Sequence, residues 1–147
     1  MTLIHDGKDS GLKEAPVLIE KIKDRASKTG AGFITTAIGR DYAMDRGKNW
    51  DNTRKAYELL AHGSGDNSED IIKKIETVYQ MGYTDSKLPP IITDKHGYIK
   101  DGDALIFFNF REDSMRQITR CFIEKDFQFF PVERFDNLFV VAMTQYL

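Results

Sequence analysis

The sequence holds a single cysteine, Cys121, in 147 residues. One thiol closes no internal disulfide, so a reducing, cytoplasmic setting is expected. No charge sign dominates: 21 Lys and Arg stand against 23 Asp and Glu, for a formal net charge of −2. Acids and bases are mixed along most of the chain. A nucleic-acid partner, which usually demands a basic stretch, is therefore not expected. Apolar runs such as Ala104 to Phe108 fall far short of the ~20 residues that a membrane span needs. Met1 to Asp9 lacks a basic region followed by an apolar stretch, so neither a signal peptide nor a membrane partner is expected. His5, His62 and His96 have no metal-site spacing. Serine-nucleophile, phosphate-loop and dinucleotide signatures are missing as well.

What is present is a globular composition, 41% hydrophobic and 12% aromatic. That is enough to bury a core in one domain of this length. Leu3 to His5 reads as a short strand cut by the turn residues Asp6-Gly7. A helix follows, with Pro16 in its first turn, Leu18, Ile19, Ile22 and Ala26 on one face, and Gly30 as the stop. Phe33 to Ile38 reads as a strand, Asp41 to Arg46 as a loop, and Asn52 to His62 as a helix stopped by Gly63. Ser68 is the expected N-cap of a helix carrying Ile71, Ile72, Ile75, Val78 and Tyr79. Ile91-Ile92 follows two prolines and reads as an edge strand. Lys95-His96-Gly97 reads as a turn. Ala104 to Phe110 is nearly continuous in apolar residues and reads as a strand covered on both faces. Met115, Ile118 and Phe122 mark a helix in which Cys121 is a core thiol. Leu138 to Met143 reads as a final buried strand. Alternation of strands and helices predicts a single α/β domain, a mostly parallel central sheet with helices on both faces.

The informative pattern is where the basic residues fall. Lys8 follows the first strand, Arg40 the second, and Arg111 follows Ala104 to Phe110. In parallel α/β sheets the carboxyl ends of the strands line one edge, and ligands bind there. Arg46 lies one short loop beyond Arg40, and Arg116 little more than a turn beyond Arg111. Guanidinium groups at one edge, with a helix N-terminus beside them, suit a small phosphate or carboxylate ligand. Taken singly, each arginine has an ordinary explanation as an exposed ion pair, Arg40 with Asp41 or Asp45 and Arg111 with Asp113.

These residues lie in motifs. Gly39-Arg40-Asp41-Tyr42-Ala43-Met44-Asp45-Arg46, followed by Trp50 and Lys55-Ala56-Tyr57, resembles the Gly-Arg-Tyr-Tyr-x-Met-Asp-Arg signature of the cofactor-independent phosphoglycerate mutases. Lys100-Asp101-Gly102-Asp103 with Ile106 to Arg111 resembles a second hallmark of that family. Asp6-Gly7-Lys8-Asp9 is similar to its Asp-Gly-Arg-Asp, and Met143-Thr144-Gln145-Tyr146 to its Met-Thr-x-Tyr. The four follow the family order across nearly the whole chain.

The resemblance implies a part of a longer enzyme, most of an inserted glycerate-binding domain spanning residues 1–147. The alkaline-phosphatase-like domain, with its phosphorylated serine and two Mn2+ ions, would lie outside this chain. The chain by itself would bind no cofactor and be catalytically silent. Carried over by position, Lys8 and Asp9 would contact substrate, as would Arg40, Arg46 and Arg111, and the ligands would be 2-phosphoglycerate and 3-phosphoglycerate. Three positions depart from the pattern. Ser114 stands at an arginine position that Arg116 would partly replace. Lys8 stands at another arginine position, and Asp41 at that of a tyrosine. A free-standing anion-binding or interaction module without catalytic activity is the alternative.

Overall fold

The computed structural model describes residues 1–94 and 96–146. Among the described residues there are six strands and five α-helices, and the α/β class expected from the sequence is what the chain adopts. Strand β1, Thr2–His5, runs parallel to β2, Thr36–Gly39. Strand β4, Ile91–Ile92, pairs antiparallel with β2 and parallel with β3, Asp66–Asn67, giving the order β1-β2-β4-β3. Strands β5, Ala104–Phe107, and β6, Phe139–Ala142, form a separate parallel pair. The pairing is thus mostly parallel, as expected, with one antiparallel pair, but among the described residues the strands form two sheets rather than one central sheet.

Helices α1, Ala15–Thr29, and α4, Ile71–Gln80, cover one face of the four-stranded sheet. Ala15 and Ile19 pack with Ala37, Ile75, Leu88 and Ile91 there. Helices α3, Trp50–His62, and α5, Glu112–Ile123, cover the other face. Tyr57, Met115, Ile118 and Cys121 form that second core with Ile38 and Phe107. Cys121 is fully buried, and desolvation pushes its thiol up to about 12, so it is a packing residue. A one-turn helix α2, Arg40–Ala43, follows β2 without a loop, where the sequence suggests a loop.

Several local expectations change. The N-cap of α4 is Asp70, not Ser68. The Asp70 carboxylate accepts from the Ile72 and Lys73 amides at 3.0 and 3.3 Å, while Ser68 Oγ donates to the Asp70 carbonyl. Ile91-Ile92 is an inner strand rather than an edge, because β3 pairs beyond it. Ala104 to Phe110 is covered on one face only. Phe107 is buried, but Ile106, Phe108 and Phe110 are exposed. The final strand is likewise half bare, with Phe139 exposed. Leu18 points away from the core of α1. Of the turn at Lys95-His96-Gly97, Lys95 lies outside the described residues.

The start of α1 shows how the fold satisfies what the local sequence leaves open. Glu14 at its N-cap position makes no side-chain cap. The carboxylate of Asp85, seventy residues on, takes the role by accepting from the Glu14 and Ala15 amides at 2.8 and 3.0 Å. Its other oxygen accepts from the Tyr79 hydroxyl. Asp85 is buried, so α1, α4 and the turn at Asp85–Lys87 are tied at one point.

Candidate anion-binding site

Three segments meet at the carboxyl edge of the strands. After β1, residues 6–10 curl into a tight turn, with the Asp9 amide donating to the Asp6 carboxylate at 3.0 Å and the Gly7 amide to Ser10 Oγ at 3.2 Å. After β2, Arg40 opens α2 directly. After β5, Arg111 is the N-cap residue of α5. Between them lies a cleft of about 480 Å³, within the size range of small-molecule sites. Lys8, Asp9, Arg40, Arg46, Arg111 and Ser114 all line it. Six of the seven residues singled out from the sequence are therefore brought together. Arg116 is placed elsewhere: its guanidinium donates to the Tyr146 carbonyl at 2.9 Å and to Glu112 at 2.8 Å.

Each cation in the cleft already has a carboxylate. Arg40, with its side chain only 13% exposed, pairs with Asp6 and, at 2.8 Å, with Asp9. Arg111 reaches Asp9 at 3.3 Å and Asp113 at 3.2 Å. Arg46 pairs with Asp113, and Lys8 with Asp41. Two of the three departures from the family signature, Lys8 and Asp41, are thus charge partners of each other. The third, Ser114, is buried, and its hydroxyl donates to Asp113 at 3.0 Å. The sequence-based pairing of Arg111 with Asp113 is present. Arg40 instead chooses Asp6 and Asp9 over Asp41 and Asp45.

The charges adjust accordingly. The Asp9 hydrogen bond, with help from Asp6, holds the Arg40 guanidinium above its ordinary pKa despite some desolvation. Desolvation raises Asp6, but the hydrogen bond and charge of Arg40 outweigh it, so this carboxyl sits below the usual range. Asp113 follows the same logic. Desolvation raises it, and the Arg46, Ser114 and Arg111 contacts bring it down to about 2. A carboxyl-detected NMR titration should therefore give Asp113 a midpoint near 2 rather than its ordinary 3.8. Because the folded value is the depressed one, the contribution of Asp113 to stability is present above the unfolded pKa and is lost as pH falls toward 2. A midpoint near 3.8 would show that the Arg46 contact is not kept in solution.

Sequence reasoning missed the side chain that holds Arg46 in place. Gln117 of α5 is buried, donates to Asp45 Oδ1 at 3.0 Å and Thr53 Oγ1 at 2.9 Å, and accepts from the Lys48 amide at 2.7 Å. Asp45 Oδ1 in turn accepts from the Gly47 and Asn49 amides at 3.0 and 3.1 Å. The loop carrying Arg46 is thereby fixed to the helix that carries Asp113. A polar residue on the buried face of a helix was the available signal.

Among the described residues, no group of three or more His, Cys, Asp or Glu is placed to hold a metal ion. No helix among them is long and apolar enough to cross a membrane. The cleft suits recognition of a small anion. It offers four basic donors and a helix N-terminus, with Asp9 the exposed carboxylate that a ligand oxyanion can replace.

The family model described as the BPG-independent PGAM N-terminus matches residues 1–147. The chain belongs to that family. Curated relatives include the 2,3-bisphosphoglycerate-independent phosphoglycerate mutase 1 of Methanosarcina barkeri, 41% identical over 96% of this chain and 28% of that protein. The corresponding mutases of Moorella thermoacetica and Salinibacter ruber are 37% and 38% identical, over 96% of this chain and 28% and 29% of theirs. The chain thus spans under a third of the length of these relatives. A crystal structure of Leishmania mexicana phosphoglycerate mutase, determined at low cobalt concentration, superposes with a TM-score of 0.88 over 99% of this chain and 29% of that one. At 23% identity this likeness concerns the fold.

Proposed function

We propose that this chain is the glycerate-holding domain of a cytoplasmic phosphoglycerate mutase that interconverts 3-phosphoglycerate and 2-phosphoglycerate. The observation that carries the reading is the convergence of Lys8, Arg40, Arg46 and Arg111, from three chain segments, on one cleft. The names of the relatives supply the substrate class. Phosphoryl transfer itself is assigned to a phosphatase-like partner domain outside this chain, into which this domain is inserted and which supplies the serine and two Mn2+ ions.

The part played by this chain is binding and orientation. A phosphoglycerate carries a carboxylate and a phosphate, two anions that planar guanidinium forks grip through paired hydrogen bonds. Exposed ion pairs contribute little, so exchanging the Asp9 contacts for ligand oxygens costs little. Arg40 stays in position during that exchange because Asp6 continues to hold it. Arg46 and Arg111 share Asp113 and can turn together toward the ligand. Holding glycerate while its two hydroxyls exchange places serves transfer through positioning, and the cations stabilise the phosphoryl oxygens as charge redistributes. The chain alone is expected to be catalytically silent.

An amide NMR titration with 3-phosphoglycerate tests this. Shifts should cluster at Lys8, Arg40, Arg46 and Arg111. Arg40→Ala and Arg111→Ala should each weaken binding at least about tenfold, equivalent to ~1.4 kcal/mol. Shifts scattered over the surface would sink the reading. Equal response to inorganic sulfate would favour the anion-binding module without catalytic activity.

A further inference from the structure

The carboxylates that pair with the cations of the cleft are not held alike. Asp9, with its side chain 73% exposed, bridges Arg40 and Arg111 and has no other side-chain partner among the described residues. Asp41 is built in, with its side chain 24% exposed. The hydroxyl of Ser86, a buried residue, donates to Asp41 Oδ2 at 3.2 Å. The Asp41 carbonyl accepts from Asn52 Nδ2 of α3 at 3.1 Å. Ser86 is itself fixed, because Asp85 anchors its turn to α1 and the Ser86 backbone lies against Gly39. Asp41 Oδ1 is left to pair with Lys8.

Lys8 is the opposite case. It stands in the turn after β1, next to Gly7 in the left-handed region, with its side chain 53% exposed. Among the described residues Asp41 is the acid that pairs with it. A free lysine stem of four carbons samples many rotamers. Here a rigid carboxylate holds the end of a flexible stem, and both residues line the cleft. An ammonium carries three N–H donors and Asp41 Oδ1 takes one, so the others remain for a ligand oxygen.

We propose that Asp41 is a positioning residue of the anion cleft. It keeps the Lys8 ammonium at the cleft wall, ready to be shared with a phosphate or carboxylate oxygen, and so raises affinity for an anion despite its own negative charge. Two effects of Asp41 oppose each other. Its charge repels an anion, across a cleft open to water and salt that screen the repulsion. Its hold on Lys8 removes rotamer freedom before the ligand arrives, so that cost is not met on binding. The pair persists when a ligand is bound, because the ammonium has donors for both partners. Lys8 then still neutralises Asp41, which leaves the repulsion small and the positioning effect the larger. Asp9 behaves differently: nothing besides the two arginines ties its carboxylate, so a ligand displaces it. This role for Asp41 requires the cleft to be an anion site but not that its ligand be a phosphoglycerate.

Titrations of the full chain with inorganic phosphate and with 3-phosphoglycerate, followed at the side-chain N–H signals of Arg40 and Arg46, are the test. Asp41→Asn keeps the size of the side chain and an acceptor for Ser86, but drops the charge. It should weaken binding at least about threefold, although it removes a negative charge from an anion site. In a Lys8→Ala background the same change should strengthen binding, since the repulsion alone is left to lose. A merely structural role for Asp41 would not reverse sign with Lys8. Relaxation of the Lys8 terminal methylene gives a readout without ligand: its motion should increase in Asp41→Asn. Tighter binding by Asp41→Asn with Lys8 present would overturn the proposal, as would equal weakening in both backgrounds or an unchanged Lys8 methylene. The sign reversal with phosphate, but no response to 3-phosphoglycerate, would uphold it and overturn the phosphoglycerate reading. No response to either anion would overturn both.

Discussion

Asp85→Ala is expected to cost about 3 kcal/mol of folding stability, because three donors lose one buried acceptor. The Glu14 and Ala15 amides lie at the first turn of α1, where the helix has no carbonyls to offer them. The Tyr79 hydroxyl gives its proton to the other oxygen. Desolvation, followed by the Asp85 hydrogen bond, raises the Tyr79 pKa well above its ordinary value, so the donor stays protonated throughout the accessible range. Asp85 is 2% exposed, and water has no easy route to replace it. With a urea slope of about 2 kcal/mol per M, the unfolding midpoint should fall by about 1.5 M. Asp85→Asn keeps an acceptor for the helix and should lose less than half of that. Near-equal midpoints for Ala and wild type would mean that the Glu14 and Ala15 amides are satisfied elsewhere.

Gly39→Ala should be nearly as damaging for a different reason. Gly39 is the last residue of β2, and its backbone is unstrained. What requires glycine is proximity. An added Cβ would overlap the Ser86 carbonyl oxygen and stand 2.6 Å from its carbon and 2.7 Å from the Asp85 oxygen. These are backbone atoms of the turn that Asp85 anchors, and they cannot rotate away. The Gly39 amide also donates to the Leu88 carbonyl at 2.8 Å, which fixes the approach. Overpacking of this kind costs up to about 3 kcal/mol. It also displaces Arg40, the next residue, so anion binding should fall with stability. Gly47→Ala is the control. Its Cβ would meet nothing nearer than 3.9 Å, and its effect should stay within about 0.5 kcal/mol. Thermal unfolding of both variants with and without 3-phosphoglycerate reads both effects. A Gly39→Ala protein as stable as Gly47→Ala would contradict the packing described.

The sequence by itself determined the class of the fold and picked out six residues of the cleft, though it wrongly added Arg116. Alternating apolar periodicities announce an α/β sheet, since period 2 and period 3.6 are local properties of the chain. The basic residues at Lys8, Arg40 and Arg111 were legible because a strand end is also a local feature, and parallel sheets bring such ends to one edge. Tertiary structure alone decided who pairs with whom. Arg40 has Asp41 beside it in sequence, yet it takes Asp6 and Asp9, because α2 starts at Arg40 and faces the turn after β1. Asp41 is then free for Lys8, so two unusual residues 33 positions apart become one ion pair. The cap of α1 came from Asp85 rather than from Glu14, and the anchor of the Arg46 loop from Gln117. Such long-range polar contacts leave no periodic trace in the chain. The burial of Ala104 to Phe110 was misjudged for a related reason. An apolar run records a preference to avoid water, but not which of its two faces the other elements of the fold reach.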